Sequence, residues 1–341
     1  MTIIDDKEGL NSEKWYRKGL NYLAENNYKK AYICFKEASK KGNINALNEL
    51  GLLYIEGKGV KNDYNKALVL FNKAAAKGST EAQFNLGLMY SKGTGVEKNY
   101  KKAYKYFLKV ANKEVAEAQY YLALMYKDGI GVEANKKEAM SWYYKAAKNG
   151  DVSAQIYIAD SYYIGEMVNK NYKNAYKWYR KAAEQENIQA LYNIALMYIK
   201  GEGIDKNISE AYKYFIKAAK KGDVESQCYA GLLTVRLSET EEDIKEAEYW
   251  FKKAAEHNHP EALYNLGLMN FNGFTGEKDF TKAFKYYQKA AKLNHKEAQF
   301  NLGLMYSRGL AVEQDEGKAF KWIKKAAQNG HSEAIELIKE K

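Results

Sequence analysis

Small and apolar residues recur along the chain with the spacing of a helix face. Ala82, Leu86 and Tyr90 are four residues apart, so they fall on one face of a predicted helix. Gly87 lies beside them and removes a side chain, which allows a second helix to approach closely. The pattern predicts a first helix that packs against another helix along this face.

The same pattern returns every 36 residues without insertion or deletion. The eleven residues from 81 to 91 occur again, unchanged, from 297 to 307. The small residue of each first helix recurs at Ala46, Ala82, Ala118, Ala154, Ala190, Ser226, Ala262, Ala298 and Ala334. Stacked repeats share one continuous core, so we expect a repeat array in place of separate globular domains.

A loop and a second helix complete each repeat. The loop reads Gly-x-Gly followed by a branched residue and begins at Gly57, Gly93, Gly129 and Gly201. Glycine can adopt the positive φ that ends a helix, so this loop is predicted to turn the chain round. The second helix carries an apolar stripe, as at Ala67, Phe71 and Ala74.

This combination resembles the Sel1-like repeat family, through A-x-x-x-L-G-x-x-Y, then G-x-G-V, then A-x-x-x-[FY]-x-x-A-A-x-x-G. The resemblance covers eight copies in residues 43–330. It implies an all-α fold, a right-handed α-α superhelix of antiparallel helix pairs. It also implies a scaffold or adaptor that gathers protein partners, rather than an enzyme.

The ends of the chain depart from the repeat. Residues 1–11 are polar and are expected to be flexible, whereas 12–42 resemble a tetratricopeptide helix pair. Residues 331–341 are predicted to form a capping helix that packs Ala334 and Leu337 against the preceding repeat.

Two internal repeats also depart from the pattern. Within 226–246 the tyrosine position is Thr234 and both loop glycines are missing. In the repeat that starts near Asp151, an apolar position is Asp160 and the second loop glycine is Met167. Both departures are compatible with variation in surface loops. The alternative is a local change in curvature or a contact site.

No constellation of residues predicts catalysis, a metal or a cofactor. His259, His295 and His331 share one repeat position, but successive repeats are about 10 Å apart. The ligands of one zinc ion must all lie about 2 Å from it, so these histidines are predicted to serve helix turns. The glycine loops follow helices and lack the third glycine of a dinucleotide site. No motif of a catalytic triad or metalloprotease occurs.

The formal net charge of +11 comes partly from one lysine in each repeat. These lysines precede the paired small residues of the second helix at Lys73, Lys109, Lys145, Lys181, Lys217, Lys253, Lys289 and Lys325. They are predicted to form an outward column that either is a solvated face or binds nucleic acid or another polyanion. Neighbouring glutamates such as Glu138 interrupt the positive charge, so nucleic acid is the less favoured partner.

A second apolar column on the first helices is the candidate partner-binding site. Its members are Phe84, Leu88, Tyr120, Leu124, Ile156, Tyr192, Leu196, Tyr264, Leu268, Phe300 and Leu304, with Asp160 and Tyr163 where the pattern breaks. These positions lie off the face that holds Leu86 and Tyr90. By resemblance to tetratricopeptide solenoids they face a concave groove that binds a protein or peptide. The alternative is that they pack between adjacent first helices.

The sequence further predicts a soluble, cytoplasmic monomer. Residues 1–14 lack the basic start and apolar run of a signal peptide, and no later window is apolar enough for a membrane span. Cys34 and Cys228 lie too many repeats apart to form a disulfide, which agrees with a reducing compartment.

Overall fold

The computed structural model describes residues 11–274 and 276–339, and the regular elements in this part of the chain are all α-helices. They are α1 (Ser12–Ala24), α2 (Tyr28–Lys40), α3 (Ile44–Glu56), α4 (Tyr64–Ala76), α5 (Thr80–Lys92), α6 (Tyr100–Ala111), α7 (Ala116–Asp128), α8 (Lys136–Lys148), α9 (Val152–Ile164), α10 (Tyr172–Glu184), α11 (Ile188–Lys200), α12 (Ile208–Lys220), α13 (Val224–Leu237), α14 (Glu241–Glu256), α15 (Pro260–Asn272), α16 (Phe280–Lys292), α17 (Lys296–Arg308), α18 (Glu316–Gln328) and α19 (Ser332–Lys339). The predicted all-α fold is confirmed.

Consecutive helices pack against one another within α1–α9 and within α10–α19. In each repeat the odd-numbered helix is the first helix and the even-numbered helix is the second. The chain divides between Lys170 and Asn171 into two compact units. The first unit holds α1 to α9 and the second holds α10 to α19.

Polar side chains start most of the helices, and glycines end the first helices of the regular repeats. Asn43 accepts a hydrogen bond from the Ala46 amide at 2.9 Å, and Asp63 accepts one from the Lys66 amide at 2.9 Å. Such caps satisfy amides that lack partners in the first turn. Gly57 and Gly93 then adopt φ of +68° and +74° at the ends of α3 and α5. The predicted loop glycines therefore serve as helix caps.

The core of each hairpin consists of small residues that face large ones. Ala82, Leu86 and Ala103 are fully buried, and Phe107 is 1% exposed. A Cβ atom on Gly87 would lie 2.7 Å from Cε1 of Phe107. The missing side chain therefore lets the Phe107 ring pack directly on α5, as the sequence predicts.

The irregular repeat within 226–246 changes its connection and keeps its core. Only residues 238–240 separate α13 from α14, and Thr240 and Asp243 form a capping box at the start of α14. Thr234 donates a hydrogen bond to the carbonyl of Ala230 at 2.8 Å. Gly231 still packs against a phenylalanine of the second helix, as in the regular repeats.

The two ends differ in how fully they match expectation. Residues 1–10 of the predicted flexible segment, and residues 340–341 of the predicted cap, lie outside the described residues. In α19, Ala334 is fully buried, but Leu337 is 40% exposed. The expectation that Leu337 packs against the preceding repeat was wrong, because α19 turns Ala334 and not Leu337 into the core with Phe300 and Ala326.

Among the helices described, none is both long enough and apolar enough to cross a membrane.

Candidate partner-binding surface

We call the candidate residues on the first helices, from Phe84 to Leu304, the first-helix column. In the first unit its rings pack between helices. The Phe84 ring centroid lies 5.5 Å from that of Phe107 and 5.6 Å from that of Tyr121. Tyr120 packs its edge against Tyr143 at 5.8 Å. Each ring thus contacts its own second helix or the next first helix while part of it remains exposed.

The same arrangement recurs in the second unit. Tyr192 lies 5.7 Å from Phe215, and Tyr264 lies 5.9 Å from Tyr287. Both tyrosines are half-buried. The rings therefore pack between helices and keep an accessible portion.

Phe300 is the exception among the predicted aromatic residues. It stacks on His331 with ring centroids 4.2 Å apart and is only 6% exposed. Phe84 carries the same local sequence but has Tyr121, not a histidine, as its neighbour. Phe300 therefore offers little surface to a partner.

The remaining predicted residues retain partial exposure. These half-buried side chains are Leu88, Leu124, Ile156, Asp160, Tyr163, Leu196, Leu268 and Leu304. Cys228 occupies the repeat position that Tyr192 and Tyr264 hold in their repeats. It was not predicted as a member of the column, and it is 2% exposed. Its neighbour Tyr229 instead stacks on Phe215 at 4.7 Å.

Burial raises the pKa of three tyrosines in the column. Desolvation, followed by the nearby Tyr229, raises the pKa of Tyr192 to about 12. Burial likewise raises the pKa of Tyr120 and of Tyr264. The column therefore presents apolar ring surface with neutral hydroxyl groups, a combination suited to protein contacts.

The lysine column on the second helices runs beside a column of aromatic rings. Apart from Lys253, which is half-buried and paired with Glu256, its members are exposed. The lysine nitrogen lies over the ring three residues earlier in the pairs Lys145–Trp142, Lys181–Trp178, Lys217–Tyr214 and Lys325–Trp322 at 3.8, 4.6, 5.4 and 4.7 Å. These rings were not predicted as part of a surface, although four of the five tryptophans share this repeat position.

The histidines cap helices, as predicted. Nδ1 of His295 accepts a hydrogen bond from the Ala298 amide at 3.2 Å, so Nε2 carries the proton and donates to Glu261 at 3.0 Å. His259 and His331 cap α15 and α19 in the same way. In the part of the chain that the structure describes, no group of three or more His, Cys, Asp or Glu side chains could hold a metal ion.

Cys34 and Cys228 are both buried free thiols, which confirms that they are not linked.

Comparison with known proteins identifies one repeat family along nearly the whole chain. The family model described as Sel1 repeat matches residues 12–43, 44–79, 80–114, 116–151, 152–187, 188–223, 225–259, 260–295 and 296–331. The match at 12–43 includes residues 12–42, which resemble a tetratricopeptide helix pair in sequence. No curated protein shows significant sequence similarity to the chain.

Solved structures show the same fold. A Sel1 repeat protein from Oxalobacter formigenes is 26% identical, with a TM-score of 0.59 and coverage of 100% of this chain and 97% of the other. A protective antigen of uropathogenic Escherichia coli strains, described as displaying an SLR fold, is 32% identical. Its TM-score is 0.55, and the match covers 96% of this chain and 80% of the antigen.

Proposed function

The chain belongs to the Sel1 repeat family, and we propose that it is a non-enzymatic adaptor that binds a protein or peptide along its first helices. Sel1 repeat proteins generally serve as protein-interaction scaffolds. The surface proposed for this chain is the column from Phe84 to Leu304, with the buried Phe300 contributing little.

The half-burial of the column rings is the observation that carries the proposal. Phe84, Tyr120, Tyr192 and Tyr264 are held in place by rings of neighbouring helices and still expose part of their surface. A ring that is already ordered loses little conformational entropy when a partner covers it. Aromatic side chains held in this way are typical anchors of protein interfaces.

Asp160 indicates how the column can be tested without unfolding the protein. It occupies the same repeat position as Leu124 and Leu268, and it is half-buried in α9. The fold thus accommodates a carboxylate at this position. Leu124→Asp and Leu268→Asp place a charge on the proposed surface of each unit and should leave the helices intact.

The experiment compares affinity capture from the native organism by wild type, by the double aspartate variant and by a control. The control is Lys145→Ala combined with Lys289→Ala, on the second helices of the same repeats. We expect the same partner with wild type and control, and at least tenfold less with the aspartate variant. Equal capture by an aspartate variant with an unchanged circular dichroism spectrum and melting temperature would contradict the proposal.

A polyanion bound to the lysine column is the second candidate, favoured by the exposure of most of these lysines. Binding to phosphates releases counterions, so affinity would fall by about 10³ or more between 50 and 200 mM salt if six or more phosphates were contacted. Binding at the first-helix column would change little over this range. Titration of a labelled single-stranded DNA at both salt concentrations separates the two functions.

A further inference from the structure

A cleft opens in the first unit between α2 and α4, above the last turn of α3. It encloses about 570 Å³, which is within the range of ligand-binding pockets. Its apolar wall consists of Tyr32, Leu50, Tyr54, Val69 and Leu70. Tyr54 is 8% exposed and forms the floor, whereas Val69 is 51% exposed at the rim. None of these residues belongs to the first-helix column.

Other repeats fill the corresponding position with an aromatic ring of their own. Tyr106 stacks on Tyr90 with centroids 5.9 Å apart and planes at 8°, and Tyr214 stacks on Tyr198 at 5.8 Å and 25°. The residue at this repeat position in the first unit's α4 is Leu70. Leucine is too short to reach across, so the space between the two second helices stays open.

Two other neighbours of the floor tyrosine each recur in another repeat. The Lys66 nitrogen lies 5.4 Å from the Tyr54 centroid, and the corresponding Lys102 lies 5.0 Å from that of Tyr90. The hydroxyl groups of Tyr32 and Tyr54 are hydrogen-bonded at 2.9 Å, as are those of Tyr176 and Tyr198 at 3.2 Å. What sets the Tyr54 cleft apart from both of these repeats is therefore the missing ring at Leu70.

The rim of the cleft carries two lysines and one aspartate. Lys36 is exposed on α2, and Lys66 is exposed on α4, where it is paired with Asp63 at 3.0 Å. The two lysines favour an aromatic ring through cation–π attraction, and Lys36 favours a carboxylate beside it. We propose that this cleft binds a tryptophan or tyrosine side chain of a protein partner whose flanking residues are acidic.

An equivalent cleft in the second unit provides an internal contrast. It encloses about 910 Å³ and is lined by Lys245, Glu248, Lys252, Asn270 and Tyr286, among others. Asn270 takes the place of the floor tyrosine and Glu248 takes the place of Tyr32. Tyr286 stands at the Leu70 position here, so this cleft does not owe its opening to a missing ring and differs in its floor. Without an aromatic floor, this charged cleft is not expected to bind the same side chain.

The test uses two short probes, the peptides acetyl-Asp-Trp-Glu-amide and acetyl-Asp-Ala-Glu-amide, on the full-length protein. Methyl NMR signals of Leu50 and Val69 report the cleft. We expect saturable shifts of both with the tryptophan peptide and none with the alanine peptide. Leu70→Tyr should fill the cleft with the residue that later repeats carry and weaken binding at least tenfold, whereas Leu70→Ile should not.

A second variant tests whether removing a ring opens a cleft. Tyr106→Leu should open the corresponding cleft of the next repeat, so that the tryptophan peptide also shifts the methyl signals of Leu86, but more weakly, because Leu68 and Asn72 stand there in place of Tyr32 and Lys36. Undiminished binding to a folded Leu70→Tyr variant, or shifts confined to the first-helix column, would overturn the proposal. Leu50 and Val69 shifts that depend on protein concentration alone, together with a dimer in sedimentation, would assign the cleft to a second copy of the chain and also overturn it.

Discussion

At the scale of single residues, the close approach of α5 and α6 depends on the absence of one methyl group. Phe107 is 1% exposed and cannot move away from a side chain at Gly87. We expect Gly87→Ala to destabilise the protein by about 1–3 kcal/mol through overpacking. The gain in helix propensity, about 1 kcal/mol, offsets only part of this. The urea midpoint followed by circular dichroism measures the change.

Gly317 provides the matched control. It lies exposed in the first turn of α18, and the nearest atom to an added Cβ would be an oxygen of Asp315 at 3.4 Å. Gly317→Ala should be neutral or stabilising by up to about 1 kcal/mol. A Gly87→Ala variant as stable as the Gly317→Ala variant would show that the contact with Phe107 can relax.

Buried glutamines form a second feature at this scale, since in several repeats they join the first helix to the preceding second helix by a hydrogen bond. Gln119 donates to the carbonyl of Ala111 at 3.1 Å and accepts from Asn149 at 3.0 Å. Gln83 donates to Ala75 at 3.2 Å, but its carbonyl oxygen has no hydrogen-bond partner among the described residues. The two glutamines therefore differ in the number of bonds that a substitution would remove.

We expect Gln119→Leu to lower the free energy of unfolding by about 1 kcal/mol more than Gln83→Leu. Only Gln119→Leu removes the acceptor of the hydrogen bond that Asn149 donates. Leucine already occupies this position at Leu191 and Leu263, where it is buried. Thermal unfolding of the two variants side by side measures the difference. Equal losses would mean that the Asn149 bond contributes nothing to stability.

At the scale of one helix, the start of α17 combines a cap with a hydrogen bond to the preceding repeat. His295 caps the helix and also donates to Glu261 of the preceding repeat. This hydrogen bond is the main cause that holds the pKa of Glu261 below its usual range. The hydrogen bond therefore contributes its full stability above the pKa of Glu261 in the unfolded chain, about 4.3. It is lost as the pH falls through the lower folded value.

His295→Asn separates the two roles, because asparagine caps α3 and α11 at the same position. We expect this variant to keep the cap and to raise the pKa of Glu261, as read from the carboxyl ¹³C shift during a pH titration. His331→Asn, at the cap of α19, should leave that pKa unchanged. An unchanged Glu261 titration in His295→Asn would contradict the assigned hydrogen bond.

At the scale of the whole molecule, each unit carries one buried thiol. Cys34 lies in α2 of the first unit and Cys228 in α13 of the second. Burial raises the pKa of both thiols. A thiol reagent can therefore react only when the surrounding helices open.

Repeat arrays open segment by segment, and terminal repeats open most easily. We expect Cys34, near the N-terminus, to react faster with a disulfide reagent than Cys228. The single-cysteine variants Cys34→Ala and Cys228→Ala allow each rate to be measured by absorbance at increasing urea. Equal rates at every urea concentration would show that the chain opens as one cooperative body.

The sequence predicts the fold well because packing within a repeat is local. A period of 36 residues, with Gly87 facing a large residue of the second helix, is enough to place the helices. Exposure is harder to predict, since it depends on side chains one repeat away. Leu337 illustrates the difficulty, because α19 turns Ala334 and not Leu337 into the core. The open space above Leu70 is visible only once the stacking of Tyr106 on Tyr90 is known.

Phe84 and Phe300 show what identity between repeats does not convey. The eleven residues around them are the same, yet one ring is half-buried beside Tyr121 and the other is covered by His331. The smallest unit with a defined surface is therefore a pair of neighbouring repeats. Moving one repeat to a new place in the array, by recombination or by design, would create two new junctions and with them two new surfaces.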